Sequence, residues 1–185
     1  MGNNLEHFGT RPEIYLISLP KDIQRRSALN IKPDYTYAVD GSQILTNDTD
    51  LTKGELGCYL SHVHMLSKAL NSPSKYVLVL EDDVGHIPLE SLDTWIRDAP
   101  VDFELLFLGW NYYEKFDYEQ ISYLHGTQSY VINTHNVTQE KINKLFPAEK
   151  PIDITLPTKF ISYVIKPKTI ELGPYASYSN TQNVN

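Results

Sequence analysis

The sequence predicts an α/β domain with a mostly parallel central sheet flanked by helices. Three observations carry that reading. Apolar runs of strand length alternate with helix-period segments along the chain. The run Tyr76–Leu80 (YVLVL) shows no polar alternation, so both of its faces are covered, as in a parallel sheet between helix layers. That run then ends in three consecutive acids, Glu81, Asp82 and Asp83, at the edge where open α/β sheets gather ligands.

The elements follow in order. Glu13–Leu19 (EIYLISL) reads as a short buried strand. The basic segment Pro20–Asn30 comes next, with Pro20 at a helix start and Arg25 and Arg26 inside it. An extended stretch, Tyr35–Gly41 (YTYAVDG), closes on the turn signal Asp40-Gly41. Thr52 and Glu55 then stand in capping-box spacing, and Leu56, Leu60, Val63, Leu66 and Leu70 recur at helical intervals. After Tyr76–Leu80, a weaker helix is predicted over Leu89–Asp98, between Pro88 and Pro100. Phe103–Leu108 (FELLFL) is a buried strand ending at Gly109. Ser129–Ile132 and Tyr163–Ile165 are shorter strands, separated by a helix over Val137–Phe146 with Asn136 as its cap. Strand order is not encoded in this pattern.

Composition bounds the function. At 185 residues the chain predicts one domain, 1–185, with enough length for a core without disulfides. A net charge of −7 and a pI near 5.3 argue against a general nucleic-acid binder. No run reaches transmembrane length, and MGNNLEHFGTRPE lacks the apolar core of a secretory signal. The single cysteine, Cys58, cannot form an internal bridge, which favours a reducing compartment. A cytoplasmic location is expected.

Three adjacent carboxylates repel, so the acidic strand end is costly unless water or a cation relieves it. Alternation along an extended chain sends Glu81 and Asp83 to one face and Asp82 to the other. Hard divalent ions such as Mg²⁺ and Mn²⁺ seek such oxygen ligands, together with phosphates and waters. A solvated acidic turn is the plain alternative.

Further residues give the triplet company. Lys53, Gly54, Glu55, Gly57 and Cys58 are followed by Ser61-His62, and then by the apolar strand ending in Glu81–Asp83. This segment resembles glycosyltransferase family 25, which includes bacterial lipo-oligosaccharide galactosyl- and glucosyltransferases and the collagen galactosyltransferases. The opening "YLISLPKDIQRRSAL" is similar to the family's first strand and basic turn, with Arg25 at its arginine and Ser18 in place of its usual asparagine. "YAVDG", "HGTQSYVI" and "PIDITL" resemble later blocks, and "SYSNTQN" echoes the family's ending with Asn180 replacing its acid.

The resemblance implies a GT-A type nucleotide-binding domain that takes a UDP-sugar donor and a Mn²⁺ (or Mg²⁺) ion, and inverts the anomeric carbon. The acceptor would be a hydroxyl of a glycan or glycosylated protein. It implies Asp83 as direct metal ligand and Glu81 as a further ligand or a contact to the nucleotide. Inversion needs a base for the acceptor proton, for which Asp153 is the candidate; a carboxylate capping the turn after Pro151 is the other reading. Arg25 suits a diphosphate, as guanidinium groups match phosphate geometry, although a solvated helix residue would look the same. Asp40 fits a contact to uracil or ribose, or a simple turn with Gly41. Lys53 and Glu55 would face the site from a helix start, where Glu55 also explains itself as a capping partner.

Other residues are left as packing. Cys58 lies on or beside the apolar stripe of its helix, and His62 and His64, two apart, diverge and cannot share a metal. His86, three beyond Asp83, would reach the metal or a phosphate only on the less favoured reading, and His125, which opens "HGTQSYVI", would face the donor sugar. The aromatic "GWNYYEKFDYEQISY" is an acceptor platform or a packed loop. Two rival functions remain open. A nucleotidyltransferase or phosphatase would bring a Gly-rich phosphate loop or an early Asp nucleophile, and neither is present. A non-catalytic relative binding sugar or a partner on the same scaffold is the alternative from another class.

Overall fold

The structure is a computed structural model that describes residues 11–45, 48–109, 112–113, 121–165, 170 and 173. β1 (Glu13–Ile17) leads through α1 (Ile23–Ala28) to β2 (Tyr35–Tyr37), and a 3₁₀ turn at Gly41–Gln43 precedes α2 (Lys53–Ala69). Then come β3 (Tyr76–Glu81), α3 (Leu92–Asp98), β4 (Leu105–Gly109) and a small hairpin of β5 (Tyr112–Tyr113) and β6 (Leu124–His125). The described elements end with β7 (Ser129–Asn133), α4 (Gln139–Asn143), α5 (Ile152–Lys159) and β8 (Ser162–Val164).

Six strands form one sheet in the order β2-β1-β3-β7-β4-β8. β1 is parallel to β2 and β3, and β4 is parallel to β8. β7 runs antiparallel to both of its neighbours, β3 and β4. The sheet is therefore mostly parallel, as expected, with one reversed strand at its centre.

Side-chain alternation splits the core into two layers. Tyr15, Ile17, Val77, Val79, Phe107 and Tyr130 pack against Tyr59, Val63 and Leu66 of α2 and against Ile152 and Leu156 of α5. Ile14, Leu16, Leu78, Leu80, Leu106 and Val131 face the other way, onto Leu92 and Ile96 of α3. Leu78 and Val79 are both fully buried, which confirms a strand covered on both faces.

Three local expectations change. The cap of α4 is Thr138, whose side chain accepts from the Lys141 N–H, and not Asn136. The Asn136 amide instead donates to the Val101 and Phe103 carbonyls, tying down the approach to β4. The helix before β2 starts at Ile23 and not at Pro20, and the Leu19 and Pro20 carbonyls accept from the Arg26 guanidinium. α5 was not expected from "PIDITLPTK", a segment rich in β-branched residues and proline. Burial of Ile152, Thr155 and Leu156 outweighs that weak propensity. "SYSNTQN" and most of "GWNYYEKFDYEQISY" lie outside the described residues. Among the described residues no helix is long and apolar enough to cross a membrane.

Candidate functional site

The parallel strands β2, β1 and β3 end at one edge, where Tyr37, Ile17 and Glu81 are in register. Because β7 is reversed, it enters the sheet at that same edge, with Ser129 opposite Leu80. The turn before it, His125–Gln128, therefore lies against the acidic strand end. A cavity of about 260 Å³ opens there, lined by Ser18, Arg25, Asp40, Gly54, Cys58, Ser61 and all three acids.

Two glycines shape its wall. A Cβ on Gly57 would stand 2.8 Å from the Gly41 nitrogen and 2.9 Å from the Val39 oxygen, so α2 and the 38–41 segment touch backbone to backbone. The Ser61 hydroxyl closes the contact, accepting from the Val39 N–H at 2.8 Å and donating to the Gly57 carbonyl at 2.7 Å. Gly57→Ala is expected to push these segments apart, costing about 1–3 kcal/mol in urea unfolding with an unchanged m-value.

Part of the repulsion among the acids is relieved by Arg25. Its Nε lies 2.9 Å from Asp82 Oδ1 and its Nη2 lies 3.7 Å from Asp83 Oδ2, with the guanidinium largely buried. The Asp82 contact is a close ion pair whose N–H is not aligned as a hydrogen bond. One guanidinium cannot balance three carboxylates. Burial and the Glu81 charge push the Asp83 carboxyl up to about 7, against the pull of Arg25. Burial also raises Asp82, despite the Ser18 hydrogen bond and Arg25. Asp83 Oδ1 is buried without a hydrogen-bond partner among the described residues. Such an oxygen calls for a proton or a cation, and hard divalent ions match this donor set.

Glu81 is held differently. Its Oε1 accepts from the Thr127 hydroxyl at 2.6 Å and lies 3.3 Å from His62 Nε2. Burial pushes its carboxyl upward, but His62, Thr127 and Arg25 outweigh it, and the pKa falls below the usual glutamate value. His62 is fully buried and shares a second hydrogen bond, through Nδ1, with the Tyr130 hydroxyl at 2.9 Å.

The turn that holds Glu81 also holds Asp153. The Gly126 N–H donates to Asp153 Oδ2 at 3.1 Å, one residue before Thr127. Gly126 sits at φ +90°, a conformation that favours glycine. The Ile154 N–H donates to Asp153 Oδ1 at 2.9 Å, and His125 Nδ1 lies 3.7 Å from Oδ2. Asp153, Glu81 and Asp83 all act electrostatically on the Cys58 thiol, which burial and these charges raise well above the ordinary value. His125–Thr127 thus joins the acidic strand end to the candidate base.

The remaining candidates divide. Asp40 lies at the cavity, but its Oδ1 accepts from the Ser42 N–H and hydroxyl, and its Oδ2 pairs with Lys21 at 3.5 Å. Hydrogen bonds from Ser42 lower its pKa. Glu55 makes the expected capping box with Thr52, and neither it nor Lys53 lines the cavity, although Gly54 between them does. His86 is exposed beside a separate cavity shared with Arg25 and Asp82. His64 turns away to Tyr35 and Tyr37, so the two helix histidines diverge as expected. Sequence reasoning missed Thr127, Ser61 and the contacts of His62. Ser61 and His62 follow Gly57 and Cys58 by four residues, and that repeat along one helix face was the available signal.

Several known proteins resemble this chain. The family model "Glycosyltransferase family 25 (LPS biosynthesis protein)" matches residues 38–170. Procollagen galactosyltransferase 2 of Homo sapiens is 28% identical over 127 residues, covering 52% of this chain and 20% of that protein. A glycosyltransferase 25 family member of Anopheles gambiae is 25% identical over 183 residues, covering 76% of this chain and 31% of that protein. The chain thus spans between a fifth and a third of the length of these relatives. Among solved structures, HddC from Yersinia pseudotuberculosis aligns with a TM-score of 0.49 at 11% identity, over 98% of this chain and 82% of that one. With its match running through α2, the acidic strand end and Asp153, the chain belongs to glycosyltransferase family 25.

Proposed function

We propose that the chain is a GT-A type hexosyltransferase that moves galactose or glucose from a UDP-sugar to a hydroxyl of a glycan or glycosylated protein, with inversion. The observation that carries this reading is Asp83 Oδ1, buried with no hydrogen-bond partner among the described residues, at the cavity on the carboxyl edge of the sheet. Asp83 would hold a Mn²⁺ or Mg²⁺ ion, with Glu81 as a further ligand or nucleotide contact. When bound, such an ion supplies Lewis-acid stabilisation of the leaving diphosphate.

The chain's own residues account for the rest. Arg25 keeps Asp82 and Asp83 side by side and limits their mutual repulsion. Thr127 and His62 fix Glu81 in one orientation. Asp153, anchored by two backbone N–H groups, takes the acceptor hydroxyl proton as that oxygen attacks the anomeric carbon. The bond from the anomeric carbon to the diphosphate oxygen breaks on the opposite face, and UDP leaves with the electron pair.

Thermal unfolding with UDP tests the reading. At a UDP concentration about 100 times its Kd, with Mn²⁺ present, the native state gains about 2.7 kcal/mol. For a chain of this size that is a rise in Tm of roughly 5–10 °C. The rise should vanish in chelator. A UDP shift that ignores the metal, or no shift at all, overturns the metal-dependent reading. Metal-dependent binding without transfer or hydrolysis of any UDP-hexose selects the non-catalytic relative instead.

A further inference from the structure

One cluster at the same edge has donor chemistry that a hard cation does not use. Cys58, His62 and Glu81 each offer a ligand atom, and these atoms all lie within 4.8 Å of one another. Cys58 and His62 are four apart on α2 and so project from one helix face, while Glu81 comes from the end of β3. We propose that Cys58, His62 and Glu81 form a binding site for a borderline transition-metal ion, Zn²⁺ above all, separate from the carboxylate seat at Asp83 and sharing only Glu81 with it.

The chemistry favours this choice. Thiolate, imidazole and carboxylate together are a zinc ligand set, whereas Mg²⁺ and Mn²⁺ take oxygen ligands. Bonds of about 2.0–2.3 Å around a tetrahedral centre place ligand atoms roughly 3.3–3.8 Å apart. The trio reaches the roughly 3.3–3.5 Å spacing of its sulfur, nitrogen and oxygen donors by closing up about 1.5 Å or less. His62 Nε2 already lies 3.3 Å from Glu81 Oε1, within that range.

The outer partners are in place too. With zinc on Nε2, the His62 Nδ1–H donates to the Tyr130 oxygen, which orients the ring. The Thr127 hydroxyl donates to Glu81 Oε1 and steadies the carboxylate. Glu81, Asp153, Asp83 and Glu55 surround Cys58 with negative charge. That field opposes an isolated thiolate, but it attracts a dication, which in turn stabilises the thiolate it binds. Three protein ligands leave a fourth position, and Cys58 and Glu81 both line the cavity from which water or another ligand would reach it.

Cobalt reports on such a site directly. Co²⁺ titrated into the metal-free, reduced 185-residue protein should give a thiolate-to-cobalt charge-transfer band in the near ultraviolet, which one equivalent of Zn²⁺ abolishes. The band should persist in Asp83→Asn, which removes the other seat. It should be lost in both Cys58→Ser and Cys58→Ala, the pair guarding against one variant failing to fold. By calorimetry, either cysteine variant should weaken Zn²⁺ binding at least about 100-fold, and Tyr130→Phe about 10-fold with the band retained. Absence of the band in the wild type overturns the site. So does Zn²⁺ affinity unchanged in both cysteine variants, since the zinc would then sit on the carboxylates. No nucleotide enters this test, so its failure leaves the sugar-transfer reading standing, and failure of that reading leaves this site standing.

Discussion

Asp153→Asn is expected to lower kcat for hexose transfer about 10³-fold while UDP binding with Mn²⁺ stays within about twofold of the wild type. The first part follows from the role of a general base, worth about 10²–10⁴ in rate. The second follows from placement, since Asp153 does not line the cavity beside Asp83. The variant also separates the two sequence readings of this residue. As a structural cap, the carboxylate accepts from the Gly126 and Ile154 N–H groups, and Asn retains one acceptor for two donors. That role alone predicts a loss of about 1 kcal/mol in stability with kcat per folded molecule unchanged. Measuring stability and kcat on the same preparation decides between them. A wild-type kcat would remove Asp153 from the chemistry.

Asp83→Asn should have two effects of opposite sign. In chelator at pH 8 it should stabilise the protein by about 2–4 kcal/mol, the upper end being the full penalty and the lower end allowing for the lost attraction to Arg25, a rise in Tm of roughly 4–16 °C. With UDP and Mn²⁺ it should lose the ligand-dependent rise altogether. The folded-state pKa of Asp83, about 7, lies above the ordinary aspartate value of 3.8. Between those values the folded state holds a proton that the unfolded chain has released. By linkage, the metal-free protein loses stability from this group as pH rises from about 4 to about 7, and the full penalty remains above that. Asn carries no charge, so the slope from this group disappears. Urea unfolding of both proteins in chelator, across pH 4–8, reads the difference. A variant less stable than wild type at pH 8, with the same pH slope, would mean that the Asp83 charge is not the uncompensated one. Such behaviour suits a functional acid, kept at a cost in stability because a ligand repays it.

The sequence alone determined what local pattern encodes. The capping box at Thr52 and Glu55 and the apolar rows of α2 are local, and they appear as read. The unalternating run of β3 fixed its burial on both faces, because only helix layers on each side can cover it. The acids after Leu80 marked the functional edge for the same reason, since charge at the end of a buried strand must meet solvent or a ligand.

What the tertiary structure decided depends on distant partners. The reversal of β7 brings His125–Thr127 to the edge where β3 ends, and no local signal near Ser129 specifies strand direction. Gly126 and Thr127 therefore looked like any turn, although one holds Asp153 and the other holds Glu81. α5 forms because its apolar residues are buried against α2, a gain its own residues cannot supply. Arg25 answers part of the charge problem from 57 positions upstream of Asp82. Periodicity and caps act over one or two turns and survive in the string. Electrostatic balance and hydrogen-bond partnership act through space, and they exist only once the sheet has assembled.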